Sequence, residues 1–165
     1  MPAPIAHRHF RQVLSHVPTG VVAITASTQD GQAVGLLAGS FTSVSLDPPL
    51  VSFCAMRTSR AWQAIKAECT RFGVNVLAAD QEHLGPLFSR PPEQRFDGID
   101  WTERDGLPLL TGAVAWLSCG LHLVQEAGDH DLVLGAVHDL AELRGDADPM
   151  IFVRGGYPKL RRASA

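Results

Sequence analysis

Cysteine is scarce in this chain of 165 residues. Cys54, Cys69 and Cys119 are odd in number, far apart and free of any C-x-x-C pair, which excludes a disulfide framework and a zinc ribbon. A reducing, cytoplasmic setting fits them best. No apolar run approaches the roughly 18 residues of a membrane span, and Met1 to Phe10, with His7, Arg8 and His9, holds no apolar signal core. A soluble, unprocessed protein is expected. Charge of one sign is also missing: 14 Lys and Arg face 17 Asp and Glu, and no basic run exceeds Arg161-Arg162. Nucleic acid is therefore not an expected partner. Neither a G-x-G-x-x-G fingerprint nor a P-loop occurs, so any nucleotide is held in another way. A G-x-S-x-G elbow is absent too, which removes the usual serine hydrolase.

What is present makes a folded domain. Hydrophobic residues reach 45%, while Gly (15) and Pro (11) stay below the level of low complexity. The length predicts one domain over residues 1–165, with its core at about 10–160. Phe10, Val13, Leu14 and Val17 form one helical stripe that Pro18 ends, and a docking helix is predicted there. Val21 to Thr25 is β-branched and apolar, and Asp30-Gly31 marks a hairpin turn after it. Phe41 to Leu46 alternates, Pro48-Pro49 breaks the run, and Leu50 to Ala55 resumes it. Ser59 is placed to cap a helix with Trp62 and Ile65 on its apolar side. Phe72 to Leu77 is a further strand, and Asp80 is placed to cap a helix bearing Leu84, Leu87 and Phe88. From Ser89 to Gly112 no period is sustained, which predicts an extended surface excursion. Ala113 to Val124, His130 to Leu143 and Met150 to Val153 supply the remaining strands. Sequence-adjacent strands joined by turns favour an antiparallel β-barrel with peripheral helices over a doubly wound sheet.

Three constellations carry candidate chemistry, each with a plainer alternative. Gly35 to Ser45 is dense in small and hydroxylated residues, so a planar ligand can approach its backbone, with Ser40, Thr42 and Ser45 adding donors and acceptors. The alternative is an ordinary Gly/Ser loop feeding a strand. Met56-Arg57-Thr58-Ser59-Arg60 joins a helix start, a hydroxyl and two guanidinium groups, a phosphate-binding combination. Its alternative is a Ser cap with solvated arginines. Gly128-Asp129-His130 opens a strand and puts one imidazole at a barrel rim, either as a ligand contact or as an unpartnered turn residue. His122, His130 and His138 recur every eight residues, but no carboxylate or thiol completes a metal spacing, and no metal is expected. Trp62, Trp101 and Trp116 are taken as core or loop anchors.

In order, Pro18-Thr19-Gly20-Val21, Gly39-Ser40-Phe41-Thr42-Ser43-Val44-Ser45-Leu46-Asp47-Pro48-Pro49-Leu50-Val51, Phe72 to Leu77, Arg95-Phe96 and Gly128-Asp129-His130 resemble the short-chain NAD(P)H:flavin oxidoreductases. The likeness spans about Phe10 to Leu160. It implies a mainly β fold, a six-stranded antiparallel Greek-key split β-barrel with short peripheral helices, acting as a homodimer. It further implies a flavin reductase that passes a hydride from NADH or NADPH to FMN or FAD, supplying a partner flavin-dependent monooxygenase. A non-enzymatic flavin-binding or electron-transfer protein of the same fold is the alternative. By the same resemblance Gly39, Ser40, Phe41, Thr42 and Ser45 line the flavin, Cys54, Ala55 and Met56 border it, Arg57, Ser59 and Arg60 face its phosphate, and His130 positions the nicotinamide. Leu37 and Gly39 depart from the family pattern of a Thr and a small polar residue.

Overall fold

The computed structural model describes residues 4–161. In chain order it holds α1 (His7–Leu14), β1 (Thr19–Gly20), β2 (Val22–Ser27), β3 (Ala33–Ala38), β4 (Thr42–Leu46), β5 (Pro49–Met56), α2 (Arg60–Glu68) and β6 (Arg71–Val76). Then come α3 (Leu84–Phe88), β7 (Trp101–Arg104), β8 (Leu107–Leu110), β9 (Ala115–Ala127), β10 (His130–Glu142) and β11 (Ile151–Phe152). Short 3₁₀ turns at Ala79–Gln81 and Pro92–Gln94 flank α3.

One antiparallel sheet dominates, in the order β3-β2-β6-β9-β10-β5-β4. The expected mainly β fold stands, but its strand count is corrected. Seven strands form the main sheet rather than six, and β1-β11 and β7-β8 make two separate ribbons. The β2-β3 hairpin turns where Asp30-Gly31 predicts, with Gly31 at φ 80°. After β5 the chain passes through α2 and rejoins the sheet on its other half, where β6 pairs with β2 and β9.

The strand period explains the curl. Val22, Ile24 and Ala26 of β2 join Val34, Leu36, Val51, Phe53, Phe72, Val74 and Val133 in one buried cluster, which therefore gathers both halves of the sheet. Trp62 and Ile65 of α2 enter the same cluster, and Trp62 meets the Phe53 ring edge-on at 5.8 Å. Ser59 caps α2 as predicted, its Oγ accepting from Trp62 N at 3.3 Å. Helix α2 thus plugs the barrel next to β3. At the bulge between Leu134 and Gly135, β10 crosses Phe72; a Cβ on Gly135 would stand 2.5 Å from that ring.

The Ser89 to Gly112 segment is not a plain surface excursion. It folds over the outer side of β2, where Ile99 and Leu110 bury with Val21, Ala23, Leu77, Leu84 and Phe88 in a second cluster. A buried polar clasp fixes it: Thr25 Oγ1 donates to Pro108 O at 2.7 Å, and Leu110 N donates to Asn75 Oδ1 at 2.8 Å. Asp80 caps no helix either. It lies in the 3₁₀ turn and pairs with Arg144 at 3.0 Å, while α3 begins after His83. Helix α1 covers the predicted stripe only as far as Leu14, short of Val17, and does not dock: Phe10 is 53% exposed, Val17 beyond the helix 57%, and no residue of the helix is buried.

Candidate functional site

Where β3 ends, the chain crosses to the far edge of the sheet, and the seam between β3 and β5 opens into a groove of about 640 Å³. Ser40 pins the crossing. Its Oγ accepts from Cys54 N at 2.8 Å and lies 3.4 Å from Cys54 O, so the ledge is tied to β5 through one hydroxyl. The floor and one wall are Leu36, Leu37, Ala38, Gly39 and Ser40; the other wall is Cys54 and Met56. Thr58 and Ser59, at the start of α2, close one end, and His130 stands at the rim. A side chain at Gly39 would point at Thr19 Oγ1, 3.0 Å away, and not into the groove. Leu37 also packs against the second cluster, so its departure from the family pattern gives an apolar wall.

Of the residues proposed from the sequence, Gly39, Ser40, Cys54, Met56, Ser59 and His130 meet around this one space. The others do not line it. Phe41 packs against the barrel core, and Thr42 and Ser45 lie on the edge strand β4. Ala55 is buried, on the inward side of β5. Arg60 pairs with Glu93 at 3.3 Å, and Arg57 turns to the β9-β10 connection. Sequence reasoning assigned no individual role to Thr58, Gly85, Phe88, Ser89 and Arg95, which complete the lining. Thr58 sat inside the stretch already singled out. Arg95 is held against β3, its Nη1 donating to Gly35 O at 2.8 Å and its Nε to Arg90 O at 2.9 Å. Burial lowers the pKa of this guanidinium.

His130 leads β10 opposite Met56 of β5. Its Nδ1 lies 2.7 Å from Asp129 Oδ1, and this hydrogen bond holds the Asp129 carboxyl below the usual carboxylate range. The same imidazole and Met56 also border a second groove of about 810 Å³, lined by Ile5, His7, Phe10 and Arg11 from the α1 side. His130 and His138 sit eight residues apart on one extended strand, roughly 26 Å at 3.3 Å per residue. Among the described residues no cluster of three metal-ligating side chains occurs. Burial pushes the Cys119 thiol up to about 12 and raises that of Cys69, so neither of these two is a ready thiolate.

The lining fits a planar nucleotide cofactor. Its volume falls within the ~300–1,000 Å³ of ordinary ligand sites, its walls are largely apolar, and hydroxyls of Ser40, Thr58, Ser59 and Ser89 with the Arg95 guanidinium supply the polar contacts. Curled antiparallel sheet, helical plug and seam groove together define a split-barrel ligand-binding protein. A family model described as flavin reductase like domain matches residues 14–161, and the chain belongs to that family. It is 45% identical over 149 residues to a flavin reductase of Pseudomonas putida, covering 90% of this chain and 86% of that protein. It is 44% identical over 151 residues, 91% of this chain and 76% of the other, to the reductase subunit of a flavin-dependent monooxygenase from Rhodococcus jostii. An NADH:FAD oxidoreductase from Streptomyces globisporus, solved with NAD and FAD fragments, superposes with a TM-score of 0.90 at 34% identity, covering 100% and 99% of the two chains. The flavin reductase assignment drawn from the sequence holds.

Proposed function

We propose that this groove is where NADH or NADPH reduces FMN or FAD, and that the reduced flavin serves a partner monooxygenase. The observation that carries this reading is the convergence of the Ser40 ledge, the start of α2 and His130 on one space large enough for a tricyclic ring. When bound, a flavin would supply the hydride acceptor and a reduced nicotinamide the donor, and the two cofactors would own that chemistry. The chain's part is binding and orientation. Leu37, Phe88 and Met56 offer apolar contact, and the hydroxyls of Thr58 and Ser59 meet a phosphate at the start of α2. His130 borders both grooves and is placed to hold the nicotinamide against the flavin. No acid–base pair or nucleophile is required of the chain.

Purified protein mixed with NADH and excess FMN is expected to bleach the reduced-nicotinamide absorbance faster than a protein-free control. No rate above that control overturns the reading. A protein that is yellow as isolated yet inert toward NADH and NADPH establishes the non-enzymatic alternative.

The working unit we infer is a homodimer in the cytoplasm. Phe10, Val13 and Leu14 lie exposed along α1 and Val17 just after it, and Met56, Leu123 and Leu132 share the outer face of β5, β10 and β9. An apolar area of this kind on a monomer is an interface signal. Light scattering is expected to give twice the chain mass; the mass of one chain across a dilution series removes the dimer. Three unpaired thiols suit a reducing compartment, and no helix of the described residues is long and apolar enough to cross a membrane.

A further inference from the structure

Arg57 lies in the stretch that the family likeness assigns to the flavin phosphate, yet its side chain runs the other way. Its backbone N–H donates to Asp129 O at 3.0 Å, and its Nη1 reaches Gly128 O at 3.5 Å. Nη2 pairs with Glu126 at 2.9 Å, while Nε stands 3.9 Å from Asp131 Oδ1. These partners bracket His130 on both sides. One residue therefore grips the β9-β10 turn from below the imidazole.

Asp131 is the inner half of the same device. Its side chain is 2% exposed, and its Oδ2 accepts from Trp62 Nε1 at 2.8 Å and Lys66 Nζ at 3.0 Å. Its Oδ1 is buried without a hydrogen bond and has the Arg57 guanidinium as its ionic neighbour. Strand alternation puts Asp131 inward and His130 outward on consecutive residues of β10. The carboxylate thus connects the strand that carries His130 to the helix whose start closes the groove.

We propose that Arg57 is a positioning residue: with Glu126 and Asp131 it fixes the β9-β10 turn, and through it the height of the His130 imidazole over the groove, and it does not bind the flavin phosphate. This rests on the reading of the groove as the site where NAD(P)H reduces flavin. The two strands that meet at this turn are 13 residues each, and the turn itself is Gly128 at φ 68° beside the exposed Asp129. Without the guanidinium the turn keeps its ladder bonds, the Arg57 amide and the hold of Trp62 and Lys66 on Asp131, but loses the side-chain grip on Glu126 and Gly128. Displacement of the ring by a fraction of an ångström then lowers the rate and leaves flavin affinity intact.

The test compares FMN with riboflavin, which has no phosphate, in the wild type and in Arg57→Ala, Arg57→Lys and Glu126→Gln. For Arg57→Ala, kcat/KM for NADH is expected to fall about tenfold, since small misplacements near reacting groups carry losses of that order. The fall is equal for the two flavins, and the Kd for FMN from fluorescence titration is unchanged. Arg57→Lys gives an intermediate loss, because an ammonium satisfies one partner and not the fan of them. Glu126 is 64% exposed and outside the groove, so Glu126→Gln shifts the rate in the same direction by less while the fold is kept. A rise in the Kd for FMN with riboflavin unaffected makes Arg57 a phosphate ligand and overturns the proposal, as do wild-type rates in all three variants. A wild type that oxidises no NADH overturns the reading of the groove and this inference with it.

Discussion

His130→Ala is expected to lower kcat/KM for NADH about 100-fold at an unchanged Kd for FMN. The magnitude follows from geometry: hydride transfer needs the donor and acceptor atoms at near-attack distance, and a 1 Å misplacement costs on the order of 10²-fold. His130 borders the groove of the Ser40 ledge and also the groove beneath α1, so a nicotinamide lying on a flavin in the first has this ring as its neighbour on the way to the second. Asp129 takes Nδ1 and leaves Nε2 for a ligand. An alanine here removes the wall common to both grooves while the ledge and the α2 start, on other elements, keep their shape. Steady-state rates with a parallel flavin titration decide it. Turnover at the wild-type level sinks the role, and a flavin affinity that falls in step with the rate makes His130 a flavin contact instead.

Local chemistry made several elements legible before any coordinates. The Asp30-Gly31 turn, the Ser59 cap and the strand at Phe72 to Leu77 each follow from residues within a few positions of one another, and each is found. The groove was half legible for the same reason. Ser40, Ser59 and His130 stand out by their immediate neighbours, and the family likeness gathers them. Arg95 enters the likeness without a role, because its partner Gly35 is 60 residues away and nothing local announces the pairing. The excursion after Ser89 misled because its apolar residues are spaced irregularly; they cover the outer side of β2, and a covering segment needs no period of its own. Helix α1 misled in the opposite sense. Its stripe is a true helical period, but no residue of the helix is buried against the barrel.

Asp131 was legible in principle and passed unnoticed. In an alternating strand it shares the inward side with Val133, and an acid at a core-facing position demands a partner. The partners came from α2 at positions 62 and 66, one helical turn apart, which is the spacing that lets two side chains reach a single carboxylate. The inward acid and the outward imidazole beside it are two consequences of one strand period. Function at this end of the barrel depends on both sides of β10.

That arrangement sets a large stability effect. Lys66→Met is expected to cost about 3 kcal/mol, because it leaves the buried Asp131 carboxylate with only the Arg57 guanidinium, 3.9 Å from its other oxygen, as counter-charge. Asp131 stays almost fully buried, whereas Lys66 is 45% exposed and rehydrates when its partner is lost. Asp131→Asn therefore costs less, about 1–2 kcal/mol, since an amide oxygen still accepts from Trp62 Nε1. The double variant is less destabilised than the two single costs combined, the mark of residues that interact directly. The Trp62 hydrogen bond first, and then Lys66, hold the Asp131 carboxyl below its usual range. A folded-state pKa that is depressed contributes stability present above the unfolded carboxylate value of about 4, and lost as pH falls through the folded value. Methionine at position 66 raises the folded value, so the gap between wild type and Lys66→Met is widest at neutral pH and narrows once the medium falls below about pH 4. Urea unfolding at pH 7 and again in acid measures both numbers. A gap that is the same at the two pH values, or an Asp131→Asn variant weaker than Lys66→Met, contradicts the account of a buried carboxylate held by a half-exposed lysine.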